Sequence, residues 1–170
     1  MGARHHVQAE QIEQLSLSKA AQMLLEECRM VLPGIQALFG FQLVAVFNSA
    51  FDQKLSTTEQ HLHFVALTLV AIAIALIMAP AAFHRQVGVT QITYTFMKVS
   101  TRLVLLSMLP LMLGVCIDFY IVGRVLIGGA LAPWLATGLF AIFGLLWFVL
   151  PRSYALQRLT AWRQAPYAGK

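Results

Sequence analysis

An all-α fold is predicted: a four-helix transmembrane bundle led by an amphipathic amino-terminal helix in the cytoplasm. Three observations predict it. The chain of 170 residues is 59% hydrophobic and only 11% charged, with a mean hydropathy of +0.73, whereas soluble domains carry roughly 25% charged residues. Four windows, 30–51, 61–83, 102–122 and 127–150, each supply the ~20 apolar residues that cross a bilayer core. If those windows alternate in direction, ten of the twelve Lys and Arg residues fall on one side, and only Lys54 and Arg124 fall on the other. The positive-inside rule then places both termini in the cytoplasm.

The elements follow in order. Residues 1–28 form a cytoplasmic arm. Its first nine residues read as an unstructured tail, in which His5-His6 is too short a cluster to hold a metal by itself. From Glu10 to Cys28, Ile12, Leu15, Met23 and Leu24 alternate with Glu, Gln, Ser and Lys, a pattern for a helix lying on the membrane or feeding into the first span. The start of the chain is polar and partly acidic, so no cleavable signal peptide is expected. The membrane domain then occupies 29–151. In its first helix, Pro33-Gly34 is expected to kink the first turns. The loop 52–60 contains Ser56-Thr57-Thr58-Glu59, the pattern of a hydroxyl cap followed three residues later by a carboxylate, which starts the second helix. That helix closes on "APAAFHR", with Pro80 as a second kink site. Residues 88–97 read as a loop or short interfacial stretch. A turn around Gly123-Arg124 is expected to join the third and fourth helices as an antiparallel hairpin. Residues 152–170 form a cytoplasmic tail.

Helical geometry sorts the polar residues by face. At 100° per residue, Glu26, Arg29, Pro33, Gln36 and Gly40 fall within an arc of about 80° on the first helix. Gln42 and Asn48 lie elsewhere. Amides in hydrocarbon are costly unless paired, so each should meet protein or water. One reading has Gln36 and Gln42 hydrogen-bonding between helices. The other has Glu26, Arg29, Gln36 and Gly40 lining a polar path. At the cytoplasmic mouth, Glu26, Glu27 and Arg29 share a level with His84, Arg85, Lys98 and Arg102. This arrangement suits either an interfacial charge cluster holding helix ends together or a charged vestibule. Small residues form seams on the second helix (Thr68, Ala71, Ala75, Ala79, Ala82, continuing from His61) and on the fourth (Gly128, Ala132, Ala136, Gly144, with Gly129, Pro133, Thr137 and Ala141 beside them). Such spacing promotes close packing within a chain or between subunits.

Several chemistries lack their signatures. There is no phosphate-binding glycine loop, nucleophile elbow, metalloprotease His-Glu pair or pair of intramembrane aspartates, so the chain is not expected to be an enzyme. No cofactor is expected. His61 and His63 point apart on a helix, and with only Glu59 or Asp52 nearby they do not make a metal site. Asp118 has Arg124 and Lys54 as possible partners. Cys28 and Cys116 fall near opposite membrane faces, which argues against an intrachain disulfide. The basic balance reads as a topology signal and an attraction to anionic headgroups, not as a nucleic-acid footprint.

Three segments, "LLEECRMVLPGIQALFGFQL", "APAAFHR" and the arginine of "KVSTRLVLLS", resemble an uncharacterised bacterial family of short four-span membrane proteins, a domain of unknown function. The similarity covers about residues 20 to 150; the arm and the "RQAPYAGK" tail lie outside the pattern. The resemblance implies a four-helix multi-pass architecture in a bacterial membrane and carries no activity; with both termini expected in the cytoplasm, the inner membrane is the expected location. Two function classes stand open: a structural or accessory component with the bilayer and another membrane protein as partners, or a small channel or transporter. A single four-helix chain is too small to enclose a wide path, so the second class implies a homo-oligomer.

Overall fold

Between Ala3 and Leu32 the chain contains neither proline nor glycine and is rich in Ala, Leu, Glu and Gln, so nothing in it interrupts a helix. The computed structural model describes the backbone of residues 2–87 and 94–153, and side chains over 17–85 and 94–153. It accordingly runs one helix, α1, from Gly2 to Val46, through Pro33. The arm and the first span are therefore a single element, and over residues 2–9 helix replaces the tail expected there. The side chains of Ile12 and Leu15, the segment 88–93 and the tail beyond Ser153 lie outside the described residues.

The first span ends sooner than its hydropathy suggests. Asn48 turns its side chain onto the backbone, Oδ1 accepting from the Ala50 N–H at 3.0 Å, and caps a short helix α2, Ser49–Lys54. An amide that can satisfy a nearby N–H competes with helix continuation, and so α1 stops at Val46 instead of reaching Phe51. Helix α3, Thr57–Val87, starts at the expected motif: Glu59 Oε2 accepts from the Ser56 N–H at 2.8 Å and from Ser56 Oγ at 2.6 Å. This is the reach-back half of a capping box. Replacing Glu59 by alanine should remove both bonds and cost about 1 kcal/mol, seen as faster amide exchange confined to the first turn of α3. Helix α4, Tyr94–Ile127, takes in Tyr94–Met97, which hydropathy leaves to a loop. Among the described residues, four helices are thus long and apolar enough to cross a membrane: Leu17–Val46, Thr57–Arg85, Tyr94–Ile127 and Ala132–Arg152. The all-α class is as expected, and no strand occurs among the described residues.

The chain divides into two compact units, Met1–Gly114 and Val115–Lys170. In the first, α3 buries one row along its length: Glu59, His63, Ala66, Val70, Ala73, Ile77 and Pro80. Steps of four and three residues keep these on one stripe, the spacing of a coiled-coil seam. From α1, Cys28, Ile35 and Gln42 are buried at the same kind of spacing, with Leu32 and Phe39 half-buried between them. Cys28, Ile35, Val70 and Ile77 form the core, flanked by Ile74, Val104 and Leu111. Gly114 of α4 is buried where a Cβ would stand 2.9 Å from Val70 Cγ2 and 3.1 Å from the Ala66 carbonyl oxygen. Glycine there lets two backbones approach closely. The buried hydroxyl of Ser107 donates to the Val104 carbonyl at 2.6 Å and so satisfies itself within α4. Both cysteines are free and buried.

In the second unit the turn lies elsewhere than expected. Gly123 and Arg124 continue α4; Gly123 is buried with Ala132 Cβ 3.5 Å from its would-be Cβ, so it is a packing glycine. The chain reverses at Gly128, whose φ of 92° only glycine adopts without strain. Helix α5, Ala132–Gly144, begins with Pro133 in its first turn, where a missing N–H costs nothing. It widens into a π turn, Leu145–Val149, with the Leu150 N–H reaching the Leu145 carbonyl, and ends in a 3₁₀ turn, Leu150–Arg152. Pro151 explains the widening: it has no N–H for the Trp147 carbonyl, and its ring crowds that oxygen. Of the expected α5 seam, Ala132 is buried, while Pro133, Thr137 and Ala141 are exposed among the described residues.

Candidate functional site

Helix α1 carries two stripes at heptad-like spacing, and the fold uses only one of them. The buried stripe (Cys28, Leu32, Ile35, Phe39, Gln42) faces α3. The other (Glu26, Arg29, Pro33, Gln36, Gly40) is centred roughly 120° around the helix by the 100° rotation per residue. Of its members, Glu26, Arg29, Pro33 and Gln36 are exposed and Gly40 is half-exposed, with nothing within 4 Å of where its Cβ would be. Gln36 precedes the helix end at Val46 by ten residues, or about 15 Å along the axis. That is half of a ~30 Å hydrocarbon core. The exposed amide therefore lies well inside the stretch Leu17–Val46 that is long and apolar enough to cross a membrane. Glu26 and Arg29 stand two to three turns earlier on the same face.

The charges expected at the cytoplasmic mouth remain apart. Glu26, Glu27, Arg29, Arg85, Lys98 and Arg102 are all exposed, and no ion pair joins them among the described residues. What gathers there is aromatic. Phe83 stacks on the buried Phe96 at 5.9 Å between ring centroids, and the half-buried His84 ring lies 6.2 Å from Phe96. This places His84 against α4 as a packing residue, with Arg85 beside it turned outward. Pro80 is fully buried on the α3 core stripe, whereas Pro33 is exposed.

At the opposite end of α3 the structure assembles a polar node that residue patterns did not bring together. Gln42, Glu59 and His63 are exposed by only 4%, 4% and 7%, deeper than most apolar side chains of the molecule. His63 Nε2 lies 3.0 Å from the Gln42 carbonyl oxygen. A carbonyl only accepts, so Nε2 carries the proton. The Phe51 ring of α2 meets the imidazole edge-on, at 5.4 Å and 66°. One histidine thus ties α3 to the last turn of α1 and to α2. Its neighbour His61 is exposed, as two residues' separation on a helix requires. A signal for the node was present: Glu59 and His63 extend upward, by the same four-three steps, the apolar row that begins at Ala66. No group of three or more His, Cys, Asp or Glu side chains among the described residues is placed to hold a metal ion.

The seam on α3 shows the same selection of faces. Thr68, Ala75 and Ala82 are exposed and Ala71 and Ala79 half-buried, because they lie on the side opposite the buried row. The Thr68 hydroxyl turns back to the Phe64 carbonyl at 2.8 Å, and so this face carries no unpaired hydroxyl into lipid. The His63–Gln42 bond holds two helices together, whereas the polar stripe of α1 makes no side-chain hydrogen bond or ion pair among the described residues.

Comparison with curated proteins and with solved structures finds no match. Residues 11–151 match a family of unknown function (DUF6328), and that span includes the four apolar helices, the outer polar node and the exposed stripe of α1. The chain belongs to this family, as an all-α member with four helices able to span a membrane.

Proposed function

We propose that the protein is a non-catalytic structural or accessory component of a bacterial cytoplasmic (inner) membrane, with both termini on the cytoplasmic side and another membrane protein as its partner. One observation supports this reading above others. The stripe Glu26, Arg29, Gln36 and Gly40 is displayed on the outside of the α1–α3 pair. An amide inside an apolar membrane span is costly against lipid and satisfied against protein. A stripe facing outward recruits a neighbour.

Crosslinking in native membranes tests the reading: the expected result is a covalent adduct through α1. Recovery of the chain only as an uncrosslinked monomer would count decisively against it. Fusions of reporters to both termini should report a cytoplasmic location for each, and an external carboxy terminus would overturn the orientation.

A second reading is supported by the same exposed amide. Several copies could turn their Gln36 stripes toward a shared axis and conduct ions, with Glu26 and Arg29 at the mouth. Purified protein in liposomes separates the two. The accessory reading expects ion and proton flux no greater than in empty vesicles. The channel reading expects flux that falls on Gln36→Leu and changes ion preference on Glu26→Gln.

A further inference from the structure

The geometry points to a second copy of this chain as the occupant of the α1 stripe, in a parallel two-fold dimer with the Gln36 amides paired across the axis within the membrane span. This rests on the accessory reading of the stripe and names its partner. The exposed stripe extends to Gln22, giving Gln22, Glu26, Arg29, Pro33, Gln36 and Gly40 at steps of four, three, four, three and four residues. That is the spacing at which two parallel helices keep contact along their length. Two copies inserted with the same topology are necessarily parallel, and a two-fold axis along the membrane normal sets each residue of the stripe beside its own counterpart.

The chemistry of the stripe is self-complementary at Gln36 and Gly40, and between neighbouring levels at its two charges. Gln36 is both donor and acceptor, so two copies satisfy each other where lipid satisfies neither. Gly40, one turn further out, has open space around it and lets the two backbones approach. Toward the cytoplasm, Glu26 and Arg29 are opposite charges one turn apart, so the like pairs that the axis sets level are offset by each carboxylate reaching the other copy's guanidinium about 4.5 Å along the helix. Both are exposed and take part in no ion pair among the described residues, which leaves them available for this pairing. The buried stripe of α1, about 120° around the helix, is already occupied by α3, so the dimer uses a separate face.

The test is energy transfer between two differently labelled pools of the full-length protein in liposomes, read as the protein-to-lipid ratio is varied. The parent chain should show saturable transfer. Gln36→Leu should raise the apparent dissociation constant about tenfold, the size expected for losing one intramembrane hydrogen-bonded pair. Gln36→Asn should recover part of that loss, and Gly40→Ile should weaken association without loss of helicity. Charge exchange supplies an independent arm: E26R alone and R29E alone should each associate less well with themselves, while a mixture of the two should associate at least as well as the parent. Parent protein that stays monomeric at high protein density would overturn the dimer, as would variants that leave transfer unchanged or a mixture no better than its components. If the monomer is found joined through residue 36 to a different protein in native membranes, the dimer fails and the accessory reading survives. Ion flux dependent on Gln36 would instead overturn the accessory reading.

Discussion

Replacement of Gly114 by leucine is expected to force α3 away from α4 around Gly114 and to produce the largest loss of stability of any single substitution considered. Even the first added carbon would stand 2.9 Å from Val70 Cγ2 and 3.1 Å from the Ala66 carbonyl oxygen. The side-chain contact can relax only slightly, because Val70 is itself fully buried, and the carbonyl belongs to helix backbone. Overpacking of this kind costs about 1–3 kcal/mol, occasionally more. The bilayer makes this sterics-dominated site more consequential than any lost apolar burial. Lipid is as apolar as the protein interior, so helix association rests on close packing and not on removing surface from water. Unfolding in mixed micelles with increasing denaturing detergent should show Gly114→Leu shifted furthest. Gly114→Ala should be intermediate, and Gly138→Ala, at a site with nothing within 4 Å, should match the parent. Equal stability of Gly114→Leu and Gly138→Ala would contradict the α3–α4 contact.

Replacement of His63 by leucine should loosen the outer end of the molecule by about 1–2 kcal/mol, the range for one buried hydrogen bond and the contacts it positions. Leucine fills much of the imidazole volume, so the loss isolates the tether. Two contacts go together: the bond from Nε2 to the Gln42 carbonyl and the edge-on contact with Phe51. Hydrogen exchange should rise over the last turn of α1 and over α2, and stay unchanged around Ile77 and Phe96 at the far end of α3. His61→Leu, at the exposed neighbour, should leave exchange as in the parent. A uniform rise along all helices after His63→Leu would show that the histidine supports global packing and not a local tie.

These expectations also mark where the sequence was readable. Hydropathy adds up residue by residue, so the four spans stand out wherever the fold puts them. The Ser56–Glu59 motif is equally local, and it forms as its spacing requires. The choice of faces was harder to read. The α3 seam of small residues looked ready for packing, yet the chain buries the opposite row, which combines Val70 and Ile77 with Glu59 and His63. Both rows have helical periodicity. A neighbour whose shape complements one of them settles the matter, and that neighbour is remote in sequence.

From its sequence alone this protein is an all-α membrane-spanning chain with a capped second span and a polar stripe on its first helix, since length, hydropathy, capping and rotation per residue are properties of contiguous segments. Only the tertiary structure decided that Gln42 turns inward and Gln36 outward, that the hairpin reverses at Gly128 and not at Gly123, and that His63 ties three elements together. Those outcomes depend on which backbones come close enough to exclude lipid. Within the first unit, the buried row of α3, met by Cys28, Ile35 and Gln42 of α1 and by Gly114 of α4, combines segments remote in sequence, and no one segment encodes it by itself.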